Sequence, residues 1–233
     1  MTRRRWIADQ FAGDQAALIG SHADHLIRVL RAQVGQEFDI STGEGVRRGR
    51  IVNIADGRVV FALGEKLEVT PSANLTLVLS IFRFDRMEWA IEKCTELGVT
   101  KMIPVIAQRT EKHLASAAVK RAERWQRIAR QASEQSRRTA APEVTEPVKL
   151  RAVFEFPGNR IVLAETEQQM MLKDALPSDG DIVLASGPEG GWTEDELKSF
   201  REAGWVAASL GNTILRAETA AIAAMAIAIS ANV

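Results

Sequence analysis

Two stretches of this chain have residue types and spacing that could do chemistry. They are Ser186-Gly187-Pro188-Glu189-Gly190-Gly191-Trp192 and, downstream, Leu210-Gly211-Asn212-Thr213-Ile214-Leu215-Arg216-Ala217-Glu218-Thr219-Ala220. Three glycines and a proline in the first fix an unusual backbone path. They also remove the β-carbons that would hold a ligand away from main-chain amides and carbonyls. The spacing is neither the GxGxxG of a dinucleotide fold nor a phosphate loop ending in Lys-Ser/Thr, which argues against a Rossmann cofactor and a nucleoside triphosphate. The charged candidates are Arg216, directly after the second loop, and Glu189 inside the first. A carboxylate at Glu189 could act on a proton or simply hold the loop by accepting amide hydrogen bonds.

The elements around these loops must position them. An apolar run at residues 181–185 reads as a buried strand, and Thr193 with Glu196 forms a capping box that opens a helix. A second apolar run at 205–209 precedes Leu210-Gly211, and a helix begins near Ala217. Glycine-marked loops at the ends of neighbouring strands, each followed by a helix, predict a pocket at the edge of an α/β sheet. Further strands are predicted at 75–81, 101–107 and 161–164. A helix over 86–97 stops at Gly98, a C-terminal cap position, and a long polar helix covers 116–138. Five strands separated by helices predict a mainly parallel sheet. The last helix, about 217–230, is apolar all round. At roughly 20 Å by the 1.5 Å rise it is too short to span a bilayer, so the sheet or a second subunit must cover it.

Residues 1–70 have a different texture, and an extended Thr70-Pro71-Ser72 step predicts the boundary with a second domain at 71–233. Residues 50–54, Asp56-Gly57 and 59–61 make a hairpin with a type I′ turn, and Gly43-Glu44-Gly45 marks another turn. Residues 21–31 predict one short helix capped by Ser21. Together these give a small β-barrel or curled sheet carrying one helix. Arg3, Arg4 and Arg5, then Arg28 and Arg31 one helical turn apart, then Arg47, Arg48 and Arg50 could converge on a polyanion. A solvated tail is the plainer account of the first three.

Composition narrows the class. The chain has 233 residues, 46% of them hydrophobic, enough for real cores in one large or two modest domains. No basic start followed by an apolar segment is present and no apolar stretch is long enough for a membrane, which predicts a cytoplasmic protein. The one cysteine, Cys94, excludes an intramolecular disulfide and a multi-thiolate metal site, and packing is its expected role. Net charge is zero overall, but residues 71–145 hold thirteen Lys and Arg against eight Asp and Glu, and residues 146–233 seven against thirteen. This asymmetry predicts one basic face for a polyanion such as RNA.

Taken together, Gly-Pro-Glu-Gly-Gly-Trp-Thr and Leu-Gly-Asn-Thr-Ile-Leu-Arg-Ala-Glu-Thr-Ala resemble the cofactor-binding signature of the ribosomal RNA small subunit methyltransferase E family, within the knotted SPOUT methyltransferases. His25-Leu26-Ile27-Arg28-Val29-Leu30-Arg31 is similar to the family's first-domain motif. So are the clusters Arg86-Met87-Glu88 with Lys93, Gln108-Arg109-Thr110, and Arg124-Trp125 through Glu134-Gln135-Ser136-Arg137-Arg138. The resemblance implies an α/β SPOUT domain with a deep trefoil knot, an N-terminal PUA-like RNA-binding β-barrel, and a homodimer. It implies S-adenosyl-L-methionine as cofactor, no metal, and methylation of N3 of a uridine (1498 in the usual numbering) of 16S ribosomal RNA in the small subunit.

On that resemblance, Leu163, Glu165, Gly187, Pro188, Glu189, Gly190, Gly191, Leu210, Gly211, Ile214, Leu215 and Arg216 are expected at the cofactor. Arg3, Arg4, Arg5, Arg28, Arg31, Arg86, Lys93, Arg109, Gln135 and Arg138 are expected at the RNA. Arg216 is the catalytic candidate, as a cation beside the ring oxygens of an ionising uracil. The alternative for Arg216 is an ion pair with Glu218 or a capping role. No histidine is suitably placed as a base. Two other functions compete: a related enzyme acting on another RNA or a ribose hydroxyl, and a non-enzymatic RNA-binding module that keeps the fold.

Overall fold

A computed structural model of the chain describes residues 5–43, 45–68, 74–136 and 138–231. Arg3, Arg4, Glu44 and the Thr70-Pro71-Ser72 step lie outside these residues. The chain divides into two compact units, residues 1–71 with 133–141, and residues 72–132 with 142–233. Residues 133–141 group with the first unit, where the Ser41 hydroxyl donates to the Thr139 carbonyl and His22 Nε2 lies 3.5 Å from Glu134 Oε1.

The first unit begins with β1 (Arg5–Ile7), β2 (Gln10–Ala12), β3 (Gln15–Ile19) and a short helix α1 (Gly20–Asp24), then continues through β4 (Glu37–Ser41), β5 (Val46–Ala55) and β6 (Arg58–Leu67). The sheet order is β1-β4-β5-β6-β3-β2, an open half-barrel rather than a closed barrel. Asp56 and Gly57, at φ 51° and 67°, turn β5 into β6 with the two positive angles of a type I′ hairpin. The single helix expected over 21–31 is interrupted. Helix α1 is capped by no side chain and runs into one π-helical turn, His25–Val29, in which Leu30 N donates to His25 O. Arg31 then takes φ 50°, so Arg28 and Arg31 do not sit one α-turn apart.

Trp6, Leu18, Leu26, Ile40, Ile51 and Phe61 form the buried core of the first unit. Gly49 sits so close beneath Ile40 that a β-carbon there would collide with Ile40 Cγ1. Gly49→Ala is expected to lower stability by about 1–3 kcal/mol, the usual result of overpacking, read from the denaturant midpoint.

The second unit runs β7 (Leu75–Ser80), α2 (Phe84–Leu97), β8 (Lys101–Ile106), α3 (Lys112–Ala117), α4 (Ala122–Gln135, its last turn grouped with the first unit), β9 (Glu143–Val144), β10 (Val148–Lys149) and β11 (Asn159–Leu163). It ends with α5 (Leu172–Ala175), β12 (Ile182–Ser186), α6 (Glu194–Glu202), β13 (Val206–Ala208) and α7 (Ala217–Ser230). Every described strand pair of this sheet is parallel, in the order β10-β8-β7-β12-β11-β13 with β9 beside β8. The central strands are apolar on both faces because helices cover both. One core joins the sheet to α2, α4 and α7 around Trp125 and Met225, and a second gathers Trp192, Phe200 and Trp205 on the opposite face.

The long helix expected over 116–138 starts earlier and breaks. Helix α3 passes through a 3₁₀ turn, Ala118–Arg121, before α4, whose Trp125 and Ala129 are buried. Gly98 ends α2 at φ 111°, and its missing β-carbon leaves room for Ile229 of α7. Glu88, in a run of like charges, is paired across to Arg124 by two hydrogen bonds of 2.6 and 2.8 Å. Cys94 is fully buried in α2, and burial pushes its thiol above the ordinary range. A thiol reagent is therefore expected to leave Cys94 unmodified in the folded protein and to modify it fully in denaturant.

Candidate functional site

Strands β12, β11 and β13 lie side by side and parallel, so their C-terminal ends, Ser186, Leu163 and Ala208, share one edge. Three loops leave that edge, at residues 164–171, 187–193 and 209–216. Main-chain bonds stitch the first loop and the start of α5 to the end of β13 and the third loop: Ala164 N donates to Ala208 O at 2.9 Å, Ser209 N to Met170 O at 2.8 Å, and Leu172 N to Ser209 O at 2.8 Å. Between the loops is a cavity of about 560 Å³, within the range of small-molecule sites.

The glycine loop is held from several sides. Gly191 takes φ 69° and donates its amide to Pro188 O at 2.8 Å. Arg109 Nη1 donates to the Gly190 carbonyl at 2.6 Å and the Trp192 carbonyl at 3.3 Å. The Trp192 indole N–H donates to Leu163 O at 3.1 Å, tying the loop to β11. Beyond it, the Thr193–Glu196 capping box is complete, and Glu196 also accepts from Gln108 N at 2.7 Å.

The glycines also make room for the protein's own groups. A β-carbon on Gly187 would meet the Trp192 indole at 3.2 Å, one on Gly190 would meet Arg109 Cδ at 3.3 Å, and one on Gly191 would meet Glu165 Oε1 at 2.9 Å. The missing side chains let the protein's own groups close around the loop.

Of the residues expected at the cofactor, Leu163, Glu165, Gly187, Pro188, Glu189, Gly191, Leu210, Gly211, Ile214 and Leu215 line this cavity. Gly190 does not; it presents its carbonyl to Arg109. Arg216 is the N-cap residue of α7 and lines a second cavity of about 400 Å³ with Arg83, Arg86, Glu189, Ile214, Leu215, Ala217 and Glu218. Glu189, Ile214, Leu215 and Ala217 line both, so the cavities adjoin. The expected alternative pairing of Arg216 with Glu218 is not made: Glu218, 2% exposed, is 3.5 Å from Arg86 Nη1 instead.

Sequence reasoning missed most of the first loop. Thr166, Glu167, Gln168 and Met171 line the cavity. Glu167 accepts amide hydrogen bonds from Gln169 at 2.7 Å and Met170 at 3.1 Å, which hold its carboxyl below the usual range. This loop has no glycine, and its signal was only its position after a strand.

The residues expected at the RNA are spread over both units. Arg5, Arg28, Arg31, Gln135 and Arg138 belong to the first, and Arg86, Lys93 and Arg109 to the second. Arg28 pairs with Asp24 at 3.4 Å. Burial draws Arg138 down to about 10, still protonated at neutral pH. Lys93 sits between Glu92 at 2.7 Å and Glu96 at 2.8 Å, whose carboxylates raise it. Arg47 and Arg48 are engaged by Asp14 and Asp39.

This edge site belongs to a known class: residues 69–229 match the RNA methyltransferase domain family. The ribosomal RNA small subunit methyltransferase E of Synechocystis is 34% identical over 94% of this chain and 74% of its own length. The Neisseria gonorrhoeae structure of that name, bound to S-adenosyl methionine, superposes with a TM-score of 0.86 at 32% identity, covering 97% of this chain and 96% of its own. A Legionella pneumophila structure in complex with the same cofactor gives 0.87 at 26% identity, over 100% and 99% of the two chains. The chain belongs to the ribosomal RNA small subunit methyltransferase E family.

Proposed function

We propose that this chain is an S-adenosylmethionine-dependent methyltransferase that modifies N3 of one uridine of 16S ribosomal RNA in the small subunit, uridine 1498 in the usual numbering. The observation that carries this reading is the pair of adjoining cavities at the sheet edge, one walled by three loops, the other holding the guanidinium groups of Arg83, Arg86 and Arg216 with the carboxylates of Glu189 and Glu218. The larger cavity suits the cofactor. Leu163, Leu210 and Ala220 give it apolar walls, the loops supply amides and carbonyls, and Glu165, Glu167 and Glu189 bring carboxylates. Such a set fits a ligand with a flat heteroaromatic ring, an ammonium group and a sulfonium cation. The names of the relatives and the cofactor of the Neisseria structure support the same reading.

Bound there, S-adenosylmethionine supplies a methyl group already activated by its sulfonium sulfur. The chain's own residues must align acceptor and methyl and keep water out. The uracil N3 lone pair becomes available only as the imide proton leaves, and negative charge then spreads to the ring oxygens. Arg216, facing the smaller cavity from the start of α7, is the cation that meets this charge. Glu189 lines both cavities and stands between cofactor and base. In the first unit, Arg3, Arg4, Arg5, Arg28 and Arg31 give contacts to phosphate that add affinity without reading sequence. We read that unit as a PUA-like domain on the strength of its six-stranded sheet and one short helix, although the sheet is a half-barrel. In the second, the return of the chain past β11 into α7 is the trefoil knot of the SPOUT fold, a reading supported by the β12-β11-β13 order. Helix α7 packs into the chain's own core, and the 85% exposed Ile214 supports a homodimer; the protein acts in the cytoplasm.

Primer extension tests this function. An N3 methyl blocks the pairing edge of uracil, so incubating small subunits with enzyme and cofactor is expected to create one cofactor-dependent stop in 16S RNA. Methyl incorporation without a stop would place the methyl away from a pairing edge, on a ribose or another base position, and would overturn N3. No incorporation despite cofactor binding would overturn the substrate.

A further inference from the structure

The smaller cavity holds more charge than one catalytic arginine requires. Facing it or flanking it are Arg83 at the N-cap of α2, Asp85 and Arg86 in its first turn, Glu189 from the glycine loop, and Arg216 and Glu218 at the start of α7. Arg83 turns back to Asp85, with Nη2 3.1 Å from Oδ2. Arg86 is arranged differently. Its Nη1 lies 3.5 Å from the Glu218 carboxylate, whose side chain is 3% exposed, while the Arg86 side chain is 41% exposed. One edge of this guanidinium is thus anchored to a buried acceptor and the rest opens to the cavity. The Asp85 carboxylate is a more distant 3.9 Å neighbour of Nε. Among the described residues Arg216 makes no ion pair, so two guanidiniums from different elements are available to one ligand.

We propose, resting on the N3-methylation reading above, that Arg86 is a second cation of the target-base site. Held by Glu218, it acts with Arg216 to stabilise the uracil anion, so that the imide proton leaves to solvent and no protein base is needed. A uracil anion carries its charge on two ring oxygens flanking N3, and each oxygen can take a planar guanidinium donor. The step balances. The N3–H proton passes to water, the freed N3 lone pair forms the N–CH₃ bond, and the methyl–sulfur bond breaks with its electron pair remaining on sulfur. The products are 3-methyluridine, a neutral thioether and one released proton. No histidine lines the cavity among the described residues; its carboxylates are Glu218, held by Arg86, and Glu189 in the glycine loop. An opposite charge within about 4–6 Å typically shifts an ionisation by 1–3 pH units, and two cations would bring the imide towards neutrality.

Single-turnover methyl transfer to small subunits, followed from neutral to alkaline pH for wild type, Arg86→Met and Arg86→Lys, tests this, with the methylated nucleoside identified in each case. The wild-type rate is expected to rise with pH to a plateau whose midpoint lies below that of free uridine. Arg86→Met is expected to move the midpoint up by about one to two pH units. Its rate would fall about ten- to a hundredfold on the rising limb and approach wild type at the plateau. Arg86→Lys, which keeps the charge but loses the fork, is expected between the two. An Arg86→Met profile lowered equally at every pH, or unchanged, would sink the second cation while leaving the N3 reading intact, provided the product is 3-methyluridine. A different methylated nucleoside from wild type would overturn both.

Discussion

Arg216→Ala is expected to lower the single-turnover rate of methyl transfer by about 10²–10³-fold, the usual cost of removing one donor aimed at developing negative charge, while S-adenosylmethionine binds with unchanged affinity. The expectation follows from where the residue sits. Arg216 does not line the larger cavity, the one proposed for the cofactor, so deleting its side chain is expected to leave the walls of that cavity intact. It does line the smaller cavity, from the N-cap of a 14-residue helix whose first amides add positive potential in the same place. Because its guanidinium is in no ion pair among the described residues, no partner carboxylate is stranded by its removal. Stability should therefore be close to wild type. Calorimetric titration with the cofactor, beside rapid-quench transfer, separates the two effects. Equal losses in binding and transfer would instead make Arg216 a cofactor ligand.

Gly191→Ala is expected to do the converse and weaken cofactor binding. Gly191 takes φ 69°, where an L residue costs about 1–2 kcal/mol, and the new β-carbon would fall 2.9 Å from Glu165 Oε1. Glu165 cannot stay in place, and the strained turn pulls against the Arg109 hydrogen bonds to Gly190 and Trp192. With about 2 kcal/mol lost and 1.4 kcal/mol for each tenfold, affinity should drop roughly thirtyfold. Arg109→Ala should weaken binding in the same direction, because it frees the loop without straining it. Retained affinity in Gly191→Ala would show that the loop tolerates the αL strain and that its closure on Glu165 is not what shapes the site.

Features set by neighbouring residues were legible in the chain. The Asp56-Gly57 turn, the Gly98 cap and the Thr193–Glu196 capping box depend on a few consecutive backbone angles and hydrogen bonds, and each stands as read. The parallel sheet followed from strands that alternate with helices along the chain. Features that depend on distant partners were not legible. The grouping of residues 133–141 with the first unit, through His22 and Ser41, leaves no mark on local pattern. The π-helical turn inside 21–31 adds one residue to a helical period and is hidden by it.

The site divides in the same way. The glycine loops announced themselves, but what the glycines avoid is Trp192, Arg109 and Glu165, which come from three different segments. Arg109 was expected at the RNA, and its guanidinium holds the carbonyls of the glycine loop. The 164–171 loop carries no distinctive residue, and its part in the cavity comes only from strand order. Glu218 read as a possible partner of Arg216 because it is two residues away, yet at the start of a helix side chains two apart do not face each other. Arg86, far off in sequence, takes the carboxylate instead.

The most direct test of the account is the identity of the methylated nucleoside. Small subunits lacking the modification would be incubated with labelled S-adenosylmethionine and either wild type or Arg216→Ala, then digested and analysed by mass spectrometry. The account predicts labelled 3-methyluridine at one site with wild type and its near-complete loss with Arg216→Ala. A labelled 2′-O-methylnucleoside, or 3-methyluridine formed at equal rates by both proteins, would contradict it.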